Sequence, residues 1–265
     1  MKKYYVAVDL EGLAGVAGEF GAALGQGRQY EFATREGVKE ANACARALFD
    51  MGADEVVVWD NHGTGLNLDY DQLDPRCKVA LGSGFNARFP GMNESYAGIL
   101  LIGYHAREAT PNAVLAHTYS SKVYQGYVLN GKTVGEMEID AAFAAEWGVK
   151  VLFVASDAAG VAQAKESFPW IETVVTKEGF GWHGTVSLHP QEAQRQIYEA
   201  VKKAVERENE MEAYSLQCPI EAKIRFKRMD EANAAKLYDI NRQPFGYEDA
   251  FTRVGTIASV RQLFD

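Results

Sequence analysis

The chain alternates short apolar runs with longer stretches in which apolar residues recur every three or four positions. Residues 4–8 form a β-rich run that ends at acidic residues. Past a glycine-rich loop over 12–27, the stretch from about 35 to 51 sets Val38, Ala41, Ala45, Leu48 and Phe49 at helical spacing, and Gly52 supplies the stop. Residues 55–59, 78–81 and 98–103 read as further strands. Asn130-Gly131 joins two β-rich runs within 124–134, a hairpin signal. A helix is predicted over 136–147, with Ile139, Ala142, Phe143 and Trp147 on one stripe, then strands over 150–156 and 171–176 and a long helix over 190–209.

Continuous apolar strands separated by helices predict an α/β fold, a mostly parallel sheet flanked by helices. The tail reads as strand 220–226, helix 230–237 and strand 252–259. We therefore expect an α/β core over 1–215 that carries the chemistry, and a smaller C-terminal α+β unit over 216–265 packed on it. A length of 265 residues suits that arrangement.

Charge removes one class of partner. With 27 basic and 36 acidic residues the net charge is -9, whereas a nucleic-acid binder normally presents a basic face. No apolar run reaches bilayer length: the best, 97–104, is broken by Gly98 and Gly103. The Met1-Lys2-Lys3 start resembles a signal peptide only until Asp9 and Glu11 interrupt it. Three widely spaced cysteines without a CxxC pair argue against a disulfide framework or a thiolate zinc site. No membrane partner and a cytoplasmic location are expected.

Ligands of an open parallel sheet bind beyond the carboxyl ends of its strands. Asp9 and Glu11 follow the first strand; Asp60, with Asn61 and His62 behind it, follows the second; His105 follows the fourth; Glu136 opens the helix after the hairpin. Strand alternation turns Asp9 and Glu11 to the same side. Carboxylates held together need a cation or a shared proton, and this many ligands could hold two divalent ions, with zinc or manganese suited to mixed oxygen and imidazole ligation. Each residue also has a plain reading. The D-x-E can be turn chemistry, Asp60-Asn61-His62-Gly63 an ordinary turn, Glu136 an acid at a helix N-terminus, and His105 and His117 structural histidines. The coincidence of all the positions favours the metal.

Five stretches carry a resemblance: Val8-Asp9-Leu10-Glu11-Gly12, Val58-Trp59-Asp60-Asn61-His62, Leu101 through Arg107 with His105 inside it, His117 twelve residues later, and Asn130 through Glu136. In order and spacing they resemble the DppA-like D-aminopeptidases, binuclear zinc peptidases associated with dipeptide-transport operons. The resemblance spans roughly the first 180 residues; Ala7 stands where the family usually has Ser, and the turn after Asp60 carries Gly63-Thr64-Gly65. It implies two zinc ions per subunit, with Asp9 bridging them and Glu11, Asp60, His105 and Glu136 as the other ligands. It further implies His117 as the catalytic residue, a short peptide substrate cleaved at an N-terminal D-amino acid by zinc-activated water, and a ring-like homodecamer. His62 is expected either to orient Asp60 or to sit in an exposed turn, and Lys177 either to stabilise an oxyanion or to lie on the surface. His183 and His189 receive no role. The competing readings are a metal-dependent phosphatase, against which the lack of an Arg or Lys cluster to cradle a phosphate weighs, another metal-dependent amidohydrolase, and a non-catalytic binding module.

Overall fold

The computed structural model describes residues 1–85 and 88–264. Seven strands form the main sheet: β1 (Lys3–Val8), β2 (Glu55–Asp60), β3 (Lys78–Ala80), β4 (Tyr96–Ile102), β7 (Lys150–Asp157), β8 (Glu172–Gly181) and β9 (Gly184–Ser187). Their order is β3-β2-β1-β4-β7-β8-β9, and every pairing is parallel except that of β8 with β9. The chain leaves β1 toward β2 on one side and later returns to its other side with β4. The crevice between the carboxyl ends of β1 and β4 is therefore the switch point where such sheets bind ligands.

Period-two alternation along β1 divides the core. Tyr4, Val6 and Val8 face α1 (Arg28–Asp50) and α4 (Pro190–Glu206), while Tyr5 and Ala7 face the layer that holds α2 (Glu136–Ala145). That second layer also contains an antiparallel sheet of order β11-β12-β10-β5-β6. Its strands are β5 (Tyr124–Leu129), β6 (Lys132–Val134), β10 (Ile220–Phe226), β11 (Gly246–Asp249) and β12 (Thr252–Ile257). The expected hairpin is β5–β6. The tail expected as an appended unit pairs β10 directly with β5, from Ala222 opposite Leu129 to Phe226 opposite Tyr124. Its apolar side chains Ile220, Ala222, Ile224 and Phe226 join the same core as α2.

Local differences have local causes. Helix α1 begins at Arg28, not near Arg35, because Glu19 Oε1 accepts from Gln29 N at 3.0 Å and caps the helix from a loop ten residues back. Helix α3 (Ala158–Ser167), absent from the sequence reading, starts where Asp157 accepts from Gly160 N at 2.7 Å. A short α5 (Met229–Ala234) occupies the tail. Among the described residues no helix is long and apolar enough to cross a membrane.

One buried acid sets a pH dependence. Glu40 on α1 is fully buried, with Oε1 accepting from Ala14 N at 2.9 Å and Oε2 without a partner. Burial pushes its carboxyl up to about 8 from an ordinary 4.5. The folded chain then holds this proton where the unfolded chain has released it, so stability falls as pH rises from about 4.5 to about 8. Glu40→Gln should remove that slope and raise stability at pH 8 by on the order of 2 kcal/mol in denaturant melts; an unchanged slope contradicts the assignment.

Candidate metal centre

Two glycines decide how closely the ends of β1 and β4 approach. A Cβ on Gly12 would lie 1.8 Å from the Tyr104 carbonyl oxygen, and one on Gly103, whose φ is +70°, 2.1 Å from that of Asp9. Without those atoms, Asp9 N donates to Ile102 O at 2.8 Å and Gly12 N to Gly103 O at 2.7 Å. His105, two residues past Gly103, is thereby set beside Asp9 and Glu11. All three are buried.

The distances describe one cluster. His105 Nε2 lies 3.6 Å from Asp9 Oδ2 and 3.4 Å from Glu136 Oε1. His62 Nδ1 lies 3.0 Å from Asp9 Oδ1 and 3.1 Å from Glu11 Oε2. His117 stacks on His105 with ring centroids 4.1 Å apart, its Nε2 3.9 Å from Glu136 Oε1. The loop that carries His117 is tied down from outside: Val114 N donates to Asp157 Oδ2 at 2.8 Å and Trp182 Nε1 to Ala116 O at 3.0 Å. It holds Ala109, Asn112, Leu115 and Tyr119 at positive φ, a conformation that side chains disfavour and that packing must enforce.

Each imidazole is oriented by a backbone carbonyl. His62 Nε2 donates to Leu24 O at 2.9 Å, His105 Nδ1 to Ala106 O at 2.9 Å, and His117 Nδ1 to Leu115 O at 2.8 Å. A carbonyl only accepts, so those nitrogens carry the hydrogen, and the opposite nitrogen of each ring is turned toward the carboxylates. Histidine ligands of metals are held in this way. Two groups bring potential ligand atoms within 4.8 Å of one another: Asp9, Glu11 and His105, and His105, His117 and Glu136. Buried carboxylates interleaved with oriented imidazoles fit a borderline-soft divalent cation such as zinc.

The electrostatics ask for positive charge. Burial disfavours ionisation of Glu11, yet His62, with His117 and His105 behind it, holds its carboxyl well below the usual range. Burial likewise opposes the charge on His105, but Glu136, Asp9 and Glu11 outweigh it and push the imidazole up to about 10. His62 moves up against its own burial for the same reason, through Glu11 and Asp9.

Asp60, His62 and Lys177 have partners that the sequence did not predict. Asp60 belongs to neither of those two ligand groups; its carboxylate accepts from Asn67 N and Nδ2, both at 2.6 Å, and from Leu68 N and the Tyr70 hydroxyl, both at 2.9 Å. It shapes the loop over 61–70. His62, expected to orient Asp60 or to be exposed, instead faces Asp9 and Glu11. Lys177 is buried and not at the surface. Its Nζ donates to the carbonyls of Glu11, Leu13 (2.8 Å) and Val16 (2.6 Å), so it fixes the loop behind the acids and is saturated by it. His183 accepts from Gly21 N at 3.1 Å through Nε2, and His189 caps α4, both structural tasks.

The model of the D-aminopeptidase family matches residues 1–254. The chain belongs to the D-aminopeptidase family. It is accordingly a peptidase, a hydrolase of amide bonds, which sets aside the phosphatase and binding-module readings. The chain is 30% identical over 210 residues, 79% of its own length and 76% of the relative's, to a D-aminopeptidase of Bacillus subtilis. A solved structure, the Zn-dependent D-aminopeptidase DppA from Bacillus subtilis, described as a self-compartmentalizing protease, superposes with a TM-score of 0.89. It is 25% identical, and the match covers 100% of this chain and 94% of that one.

A cation that takes the free nitrogens of His62 and His105 must displace their protons. Titrating the metal-free protein with zinc near neutral pH should release about two protons per chain, read by calorimetry in buffers of different ionisation enthalpy. Affinity should rise with pH toward about 10, the His105 value. Binding that is insensitive to pH in this range would contradict ligation by these rings.

Proposed function

We propose that this peptidase removes N-terminal D-amino acids from short peptides or amides, using two zinc ions per chain. The observation that carries the reading is the set of three imidazoles, each pinned by a carbonyl and turned into a buried group of carboxylates. Asp9 would be shared between the ions, since its Oδ1 lies near His62 and its Oδ2 near His105. Glu11 and His62 would hold one ion, and His105 and Glu136 the other. In this proposal His62 takes the place first expected for Asp60. Manganese remains compatible with the same donors.

The bound cations would supply Lewis acidity, polarising the scissile carbonyl and acidifying a water. The protein's own groups do the rest. Glu136 is fixed by a donation from Tyr119 N to Oε1 at 2.8 Å. His117, with Nδ1 tied to Leu115 O, offers Nε2 at the edge of the cluster, where it can take a proton from the attacking water and deliver it to the leaving amine.

Support for the D configuration is family membership, and support for zinc is the donor set together with the dependence of the Bacillus subtilis neighbour. Assembly into a ring-like homodecamer around an inner chamber also belongs to this proposal, by likeness to that self-compartmentalizing neighbour. The exposed apolar residues Phe20, Phe180 and Val186 are suited to contacts between copies.

Matched D- and L-aminoacyl p-nitroanilides, offered to metal-free and zinc-loaded protein, test the reading. Only the D series with zinc should turn over. His117→Ala should keep its zinc and lose about 10²- to 10⁴-fold in kcat, whereas His62→Ala should lose zinc and Asp60→Asn should retain both ions. Zinc loss in Asp60→Asn with retention in His62→Ala would reverse the ligand assignment.

A further inference from the structure

Behind the cluster runs a second polar structure that the chemistry does not use. Asp140 lies on α2, one turn beyond Glu136 and on the same face of the helix, and is fully buried. Its carboxylate accepts two bonds from Arg88, Nε to Oδ1 and Nη2 to Oδ2, both at 2.7 Å. Oδ2 also accepts from the Tyr104 hydroxyl at 2.6 Å. That hydroxyl in turn accepts from Asn61 Nδ2 at 2.9 Å. The Arg88 guanidinium packs over the rings of Trp59 (4.6 Å) and Tyr119 (5.4 Å), and Tyr119 is the residue whose backbone N–H fixes Glu136.

We infer that the chain Arg88–Asp140–Tyr104–Asn61 positions the metal ligands. The inference rests on the ligand assignment proposed above. Asn61 adjoins His62, Tyr104 adjoins His105, and Asp140 stands one helical turn from Glu136. Three ligands that arrive on the end of β2, the end of β4 and the start of α2 are thus tied together one step back by a single run of hydrogen bonds, buried at Tyr104–Asp140 and part-buried at its two ends. A role in stability alone would not require this chemistry, because packed apolar side chains commonly stabilise a core as well as a buried ion pair does. The run gives direction: a bidentate guanidinium–carboxylate pair has one geometry, and it fixes where α2 and the two strand ends stand relative to each other. None of the four residues is assigned to substrate or metal. They act through the ligands they adjoin.

Tyr104→Phe deletes the connecting hydroxyl with little change in shape, and Asn61→Ala deletes its donor. Zinc affinity, measured by competition with a chromogenic chelator, should fall about 10- to 100-fold in Tyr104→Phe, and less in Asn61→Ala. The double variant should be no weaker than Tyr104→Phe, because both changes cut the same run. kcat should fall with zinc at saturation while KM stays within about two-fold. Thermal melting of the metal-free proteins supplies the control. A lowered melting temperature with wild-type zinc affinity and kcat would show a purely structural role and overturn the inference, as would additive losses in the double variant. Should Tyr104→Phe fail to fold, loss of zinc affinity in folded Asn61→Ala supports the inference and unchanged affinity overturns it. A wild-type protein that neither binds zinc nor cleaves D-aminoacyl substrates would remove the underlying functional reading instead, a result distinct from inert variants of an active enzyme.

Discussion

Three carboxylates, two from the end of β1 and one from the start of α2, are held in one buried space, and their mutual repulsion governs what the surrounding structure must supply. Asp9, Glu11 and Glu136 are each less than a tenth exposed, so water cannot screen them. His62, His105 and His117 stand among them as the local source of compensating charge. In the metal-free chain the protons of His62 and His105 offset that charge, and the same two nitrogens face the carboxylates where a cation would sit. Backbone carbonyls at Leu24, Ala106 and Leu115 keep the rings from turning away. Acid cluster and imidazole orientation thus form one device, with the carbonyls fixing the rings and the carboxylates drawing on their charge.

The sheet makes the device possible. Parallel strands deliver their carboxyl ends to one edge, and the reversal of strand order at β1 and β4 opens the crevice there. Gly12 and Gly103 let the two backbones touch, and Lys177 stiffens the following loop by binding three of its carbonyls. That lysine gives its hydrogen bonds to carbonyls, while its charge acts on Glu11 only through space. The loop over 106–119 then brings His117 to the site and is held by Asp157 and Trp182.

Much of this was legible from pattern. Period-two and helical spacing located β1, β2, β4, β7 and α2, because their apolar residues are contiguous and each ends at a glycine or an acid. Asp9, Glu11, His105 and Glu136 stood out because each lies just past such an element. The choice between Asp60 and His62 was not legible. The two are separated by one residue, and the outcome depends on Asn67 and Tyr70 folding back onto the Asp60 carboxylate, a tertiary event with no local signature. The burial of Lys177 was hidden for the same reason, since its partners are carbonyls some 160 positions away. The pairing of β10 with β5 joins segments nearly a hundred residues apart, and no local pattern in the tail announces it.

Where cations settle decides between His62 and Asp60 as a ligand. Crystals of the zinc-loaded protein, measured at the zinc absorption edge, should show two anomalous peaks about 3.5–4 Å apart, one beside His62 and Glu11 and one beside His105 and Glu136, with Asp9 between them. A single peak elsewhere, or density coordinated by Asp60 with His62 turned away, would contradict this arrangement.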